Sequence, residues 1–150
     1  MQKIFNVNPD LCTGCRICEI VCSFRKSAAF NPFKTGIWIS KDEEKGIDTP
    51  VFCRHCKNPP CVAACPVEDG KPIEKDADSG IVSISRQEEC IGCYECARAC
   101  PFGAIRIDME SKLPIKCDLC GGSPECVNWC YTGAIEFRAI ATIGEKKQYA

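Results

Sequence analysis

The sixteen cysteines of this 150-residue chain are the residues best suited to chemistry, and they fall into four quartets. The first and third quartets follow C-x2-C-x2-C-x3-C, and the middle gap widens to four residues in the second and five in the fourth. In chain order, the quartets are Cys12, Cys15, Cys18, Cys22; Cys53, Cys56, Cys61, Cys65; Cys90, Cys93, Cys96, Cys100; and Cys117, Cys120, Cys126, Cys130. No cysteine lies outside this internal repeat.

The spacing distinguishes three chemistries that use cysteine. A [4Fe-4S] cluster needs one thiolate per iron; a C-x2-C-x2-C turn supplies three, and the fourth cysteine ligates a neighbouring cluster. Structural zinc usually takes its four ligands from two separated C-x2-C knuckles, which makes it the weaker alternative. Disulfides would have to close many very short loops without strain, so they fit least well. We therefore interpret the quartets as iron–sulfur ligands.

The remaining composition excludes several classes of function. The net charge of -1 provides no basic field for nucleic acid, and the single His55 excludes a histidine-rich metal store. No run of about 18 apolar residues is present to span a bilayer. The segment MQKIFNVNPD has no export signal, which predicts a cytoplasmic protein with reduced thiols.

Short strands and helices are predicted around each quartet, which indicates an α+β fold. Pro60 and Pro124 suit the first turns of two of the helices. The predicted strands are KIFNV, GIVSIS, LPIKC and the apolar–polar alternations within residues 100–108 and 130–138. The predicted helices, of one or two turns each, are EIVCSF, PPCVAAC, YECARAC and PECVNWC. Two ferredoxin-like halves should pack back to back, and four apolar side chains should contact the clusters: Ile105, Ile107, Ile135 and Phe137.

Several polar residues lie close to the cysteines in sequence. His55, between Cys53 and Cys56, is expected to hydrogen-bond to the backbone or to a cluster sulfur, where it would tune the potential, and not to ligate iron. The basic residues beside the quartets are expected to be solvated, although they could instead raise cluster potentials; they are Arg54, Lys57 and Arg98.

Two segments lie outside the quartets. Residues 23–49 form an insertion with Phe30, Phe33 and Trp38 ahead of the charged run KDEEKG. We favour a hairpin that covers the adjacent clusters and has a solvent-exposed turn at KDEEKG. The alternative is that the aromatic residues form a docking surface for a partner. Residues 139–150 form a tail that either lies on the partner or frays.

The quartets resemble a known family in their flanking residues as well as their spacing. The segments CRHCKNPPCVAACP (53–66), CIGCYECARACPFGAI (90–105) and KCDLCGGSPECVNWCYTGAI (116–135) resemble four-cluster iron–sulfur subunits of molybdenum and tungsten pterin oxidoreductases. That family includes the electron-transfer subunits of DMSO reductase and formate dehydrogenase. The resemblance implies one compact unit over residues 1–150, a tandem bacterial-type ferredoxin fold and four [4Fe-4S] clusters. The compact length is most similar to the small subunits of tungsten aldehyde oxidoreductases and benzoyl-CoA reductases.

The resemblance also implies how the quartets share clusters. The first quartet would combine with the fourth, in a half made of residues 1–22 and 110–138, and the second with the third, in a half covering residues 50–109. The implied ligand sets are Cys12, Cys15, Cys18, Cys130; Cys117, Cys120, Cys126, Cys22; Cys53, Cys56, Cys61, Cys100; and Cys90, Cys93, Cys96, Cys65. Ser23 and Tyr131 stand where the family often has proline, a departure that concerns the cluster potentials more than cluster binding.

The function implied is that of a non-catalytic electron-transfer subunit in anaerobic metabolism. It would connect a catalytic molybdenum or tungsten pterin subunit to an electron donor or acceptor, such as a flavin or ferredoxin redox partner. A free polyferredoxin shuttle is the first alternative, but the balance of 19 basic to 20 acidic residues lacks the acidic surface expected of one. A zinc-folded interaction module is the second alternative. No paired-carboxylate motif or glycine-rich nucleotide loop suggests catalysis.

Overall fold

The computed structural model describes residues 3–139, and within that range four two-stranded antiparallel sheets form. The first sheet joins the two ends of the described chain, with Phe5 opposite Phe137. The other three sheets are hairpins of strands consecutive in sequence. The pairs are β1 (Lys3–Val7) with β8 (Ile135–Ala139), β2 (Ile37–Asp42) with β3 (Ile47–Phe52), β4 (Ile73–Lys75) with β5 (Val82–Ile84), and β6 (Ile105–Ile107) with β7 (Pro114–Lys116).

Each cysteine loop leads into a short helix. The four helices of the described range are α1 (Ile17–Ser27), α2 (Pro60–Ala63), α3 (Glu95–Arg98) and α4 (Glu125–Asn128). Single 3-10 turns lie at Pro9–Leu11, Gln87–Glu89 and Leu119–Gly121. None of the helices within residues 3–139 has the length and apolar character to cross a bilayer.

The predicted α+β architecture is confirmed, with one wrong helix length and one missed strand. Helices α2, α3 and α4 are single turns, within the one or two turns predicted, whereas α1 extends past Cys22 to Ser27 and is 11 residues long. Arg25 and Lys26 lie in its last turn, where cations interact favourably with the helix dipole, and Ala28 ends it in a left-handed conformation. Strand β4 escaped prediction because Ile73 is the only apolar residue among its three, so it shows no alternation.

The core is built from thiols as much as from hydrocarbon. One buried cluster combines Phe5, Ile37 and Phe52 with five buried cysteines, which are Cys18, Cys22, Cys53, Cys117 and Cys126. A second cluster packs Ile73, Val82 and Ile105 around Cys61 and Cys96. Because the cysteines occupy central positions, whatever they bind also holds the fold together.

The insertion forms the predicted hairpin, β2–β3. Ile37 and Ile39 are buried on its inner face, and the turn at residues 43–46 is exposed. Phe30 and Phe33, which precede the hairpin, are 74% and 70% exposed. The hairpin prediction is therefore confirmed, while the docking role of these aromatics stays a prediction. The predicted tail lies, except for Ala139, outside the described residues.

Candidate metal centres

Three internal cavities are each lined by four cysteines. Their volumes free of protein atoms, which include space open to solvent, are about 320, 340 and 370 Å³. We name the sites by their thiols: site A has Cys12, Cys15, Cys18 and Cys130; site B has Cys22, Cys117, Cys120 and Cys126; site D has Cys65, Cys90, Cys93 and Cys96. In each site one cysteine comes from a different quartet from the other three.

The remaining four cysteines define site C: Cys53, Cys56, Cys61 and Cys100. Cys53 and Cys100 both act electrostatically on the thiol of Cys61, which brings cysteines from two quartets together. Cys56 lies in the same loop as Cys53, and its carbonyl accepts a hydrogen bond of 3.1 Å from Lys75 Nζ. Membership of Cys56 in site C rests on sequence spacing.

The site A cavity tests the expected packing of apolar side chains. Ile135 lines it, together with Ile39 and Pro50 of the β2–β3 hairpin. Ile105 is buried against Cys61 and Cys96 in the second core cluster. Ile135 and Ile105 therefore lie beside cysteines, and Phe137 packs on the ring of Phe5 at 5.6 Å, at the edge of the cysteine-containing core. Contact of these three side chains and of Ile107 with bound clusters stays a prediction.

Backbone amides are directed at thiol sulfurs in sites B and C. The N–H groups of Gly36 and Leu119 donate to Cys22 Sγ and Cys117 Sγ at 3.3 and 3.4 Å. Those of His55 and Ala104 donate to the sulfurs of Cys53 and Cys100, each at 3.3 Å. Such donors stabilise negative charge on sulfur, so the loops are shaped for thiolates and not for neutral thiols.

The loops need left-handed backbone to achieve this wrapping. Arg16, Tyr94, His55 and Cys120 all have positive φ, from 45° to 64°. The left-handed backbone conformation costs a residue other than glycine roughly 1–2 kcal/mol. Four such residues beside cysteines indicate a strong opposing benefit, which a bound metal cluster would supply.

Burial raises the pKa of several thiols, which opposes their ionisation in the absence of a metal. Burial is the largest cause that raises the pKa of Cys18 to about 12, of Cys117 to about 12 and of Cys96 to about 11. It likewise raises the pKa of Cys126, reinforced by repulsion from Cys117 and Cys22. A metal reverses this balance because a coordinating thiol is deprotonated outright. The donor set therefore fits a cationic metal group.

The arrangement does not suit a single ion or crosslinks. Within residues 3–139, no three His, Cys, Asp or Glu side chains converge closely enough to hold one metal ion. All sixteen cysteines, which lie within that range, are free thiols. Four thiols spread around a cavity suit a multi-iron cluster better than a tetrahedral zinc, whose ligands lie about 2.3 Å from one ion.

His55 hydrogen-bonds to the backbone, but as an acceptor. Its Nδ1 accepts from the amide of Val82 at 3.0 Å, and its Nε2 is buried with no hydrogen-bond partner among the described residues. Burial, followed by the nearby Lys116 ammonium, lowers the pKa of His55 to about 3. The ring is therefore neutral with its proton on Nε2, and a role as donor to a cluster stays a prediction.

The basic residues singled out in the sequence are solvated, as expected. Arg54 and Lys57 are exposed, and Arg98 is exposed and paired with Glu95. Sequence analysis missed Lys116, which is only 3% exposed. One signal pointed to it: in the strand Pro114–Lys116 the alternation places Lys116 on the same face as the buried Pro114.

Two family models match this protein. A 4Fe-4S dicluster domain matches residues 45–140, and a 4Fe-4S binding domain matches residues 4–27. The chain belongs to the 4Fe-4S dicluster family. As a member of this family, the protein binds several [4Fe-4S] clusters and functions in electron transfer.

Similar proteins confirm the resemblance seen in the sequence. The polyferredoxin-like subunit of aliphatic sulfonate oxidoreductase from Pyrococcus furiosus is 35% identical over 91% of this dicluster protein and 76% of its own length. The B subunit of polysulfide reductase from Wolinella succinogenes is 32% identical over 85% of this protein and 71% of its own length. Among solved structures, a chain of the active-site complex BamBC of benzoyl coenzyme A reductase with benzoyl-CoA matches with a TM-score of 0.54 and 29% identity. The match covers 91% of this protein and 78% of that chain.

Proposed function

We propose that this protein is the electron-transfer subunit of a molybdenum or tungsten pterin oxidoreductase and carries four [4Fe-4S] clusters. The observation that carries the proposal is that fifteen of the sixteen thiols assemble into four groups, each drawn from two quartets, while Cys56 is assigned to site C from its sequence spacing. Sites A, B, C and D have the same members as the four ligand sets implied by the family resemblance. We therefore assign those sixteen cysteines as the ligands.

The two proposed halves have support in the packing of the elements. Pairing of β1 with β8 and packing of α1 on α4 bring the first quartet to the last. Packing of α2 on α3, beside the β4–β5 hairpin, brings the second quartet to the third. The β6–β7 hairpin has one strand in each half and joins them.

The four sites follow one another in a row. Cys18 of site A acts electrostatically on Cys126 of site B. Cys53 of site C acts on Cys117 of site B, and Cys61 of site C acts on Cys96 of site D. We infer the order A, B, C, D from these neighbours, which gives the row two distinct ends.

Both ends of the row are accessible, as electron transfer to and from other proteins requires. At site A, Cys15 is exposed, and Trp129 and Tyr131 beside Cys130 are 60% and 69% exposed. At site D, Ile91 between Cys90 and Cys93 is 69% exposed. A bound [4Fe-4S] cluster supplies reversible one-electron chemistry over a wide range of potentials. The protein's part is to hold, insulate and order these groups.

The identity of the partner is supported by the names of the relatives. They include subunits of a sulfonate oxidoreductase and a polysulfide reductase, and the active-site complex of a benzoyl-CoA reductase. We infer a catalytic pterin subunit, of the tungsten aldehyde oxidoreductase type, with a flavin or ferredoxin as second redox partner in the cytoplasm. The protein itself is non-catalytic because every cysteine has a ligand role.

Metal analysis of the anaerobically isolated protein tests the cofactor. We expect about sixteen iron atoms and as many acid-labile sulfides per protein, from four irons in each of four clusters. A brown colour with broad absorption should accompany them. Zinc without sulfide, or far fewer irons, would refute the proposal. Copurification with a pterin-containing subunit from the native host separates a bound subunit from a free shuttle, which would emerge alone.

A further inference from the structure

Lys116 carries a buried charge that has no carboxylate partner. Its side chain is 3% exposed, and Nζ donates to the carbonyl of Cys117 at 2.8 Å and to that of Val82. Among residues 3–139, no ion pair within 4.0 Å includes Lys116. Burying an ammonium without a counter-charge is costly, so another source of negative charge is expected nearby.

The neighbouring carboxylates are already engaged. Asp118, two residues along, is paired with Lys26 at 2.9 Å. Asp108, on the same hairpin, accepts from Ser111 and lies 3.9 Å from Lys34. Neither is within ion-pair distance of Lys116, which leaves the sites on either side as the source of compensating charge.

Lys116 stands between sites B and C. It is adjacent to Cys117 of site B, and its ammonium is the largest influence on Cys61 of site C after burial. Val82 also connects Lys116 to His55. The carbonyl of Val82 accepts a hydrogen bond from Lys116 Nζ, and the amide of Val82 donates one to His55 Nδ1. Strands β7 and β5, which carry Lys116 and Val82, pack together at this point.

We propose that Lys116 is a positioned counter-charge that raises the reduction potentials of the clusters held at sites B and C. Reduction adds negative charge to a cluster, and a nearby fixed cation in a poorly solvated interior favours that charge. Sites A and D lie beyond the two middle sites and feel the ammonium less. Electrons are therefore favoured at the centre of the row relative to its ends. The inference rests on the ligand sets proposed above.

The test is an anaerobic redox titration of the complete, cluster-loaded protein followed by electron paramagnetic resonance. In Lys116→Met, which keeps the length of the side chain but removes its charge, two of the four couples should shift downward. The expected shift is at least tenfold in the reduced-to-oxidised ratio at fixed potential, equal to about 59 mV for one electron. Lys116→Arg, which keeps the charge, should leave those couples near their original values.

Lys45→Met is the matched control because it removes the same charge at an exposed turn, where the Lys45 side chain is 70% exposed. It should leave all four couples unchanged. Unshifted couples in Lys116→Met, or an equal shift of all four, would overturn the proposal. Iron content of the unaltered protein tests the four clusters separately, and that of Cys61→Ala tests a ligand set, so failure of the proposed function and failure of this inference are distinguishable.

Loss of iron in the variants also gives a decision. If Lys116→Met cannot hold its clusters while Lys116→Arg can, a positive charge is required at this position and the proposal is supported. If Lys116→Arg loses iron as well, the requirement is for the shape and hydrogen bonds of lysine, and the counter-charge role is refuted.

Discussion

Gly36→Ala should disable site B through a backbone clash. A Cβ at Gly36 would lie 2.5 Å from the amide nitrogen of Cys117, 2.6 Å from the carbonyl carbon of Lys116 and 2.7 Å from Cys117 Cα. All three are backbone atoms and cannot rotate away. Because non-bonded carbon atoms prefer roughly 3.5–4.0 Å, the start of β2 must move outward by about 1 Å.

The movement acts on two ligands of the same site. Gly36 donates its amide to Cys22 Sγ at 3.3 Å, and Cys117 is the residue it pushes against. Overpacking of this kind costs about 1–3 kcal/mol, and a hydrogen bond to a charged sulfur about 1.5–3 kcal/mol. Alanine also lowers the conformational entropy of the unfolded chain, which offsets about 0.4–1 kcal/mol of this loss of stability. The net loss from these contributions is about 1.5–5.6 kcal/mol, a large part of the roughly 5–15 kcal/mol that stabilises a domain.

The assay combines iron content with thermal bleaching of the visible absorption under anaerobic conditions. We expect about twelve irons per protein in place of about sixteen, and bleaching at a lower temperature. Gly46→Ala is the control: that glycine has a φ of 64° and no atom within 4 Å of the added Cβ. It should lose only about 1–2 kcal/mol to backbone strain and retain all its iron. Full iron and unchanged bleaching in Gly36→Ala would show that the close approach is not needed.

Three further predictions concern the row of sites, the core and the surface. Cys61→Ala should lose the cluster of site C, leave about twelve irons and block electron transfer between site D and site B; full iron content with normal transfer would contradict the ligand assignment. Chelation of the iron should unfold the protein, because the core contains seven buried cysteines and metal binding is coupled to folding; native far-ultraviolet circular dichroism after iron removal would argue against this. Phe30→Ser combined with Phe33→Ser, both at exposed positions, should weaken copurification with the catalytic subunit while iron content stays constant; unchanged copurification would exclude this surface as the docking site.

Local pattern accounts for much of the fold. The alternation in KIFNV and in residues 130–138 identified β1 and β8, and proline beside Cys61 located α2. Strand β4 was missed because it has a single apolar residue, Ile73, and so no alternation. The last turn of α1 was misjudged because local pattern defines the end of a helix poorly.

The amino-acid sequence by itself determined the cofactor chemistry and the class of function, because cysteine spacing within a single loop is a local property that iron–sulfur clusters require. It did not determine which distant cysteine completes each site, such as Cys22 beside Cys117, Cys120 and Cys126. It also left Gly36 and Lys116 unnoticed as parts of a site. These features depend on segments far apart in the chain that meet only after β1 pairs with β8 and β7 packs on β5. Close approach and buried charge are properties of that packing, and only the tertiary structure decided them.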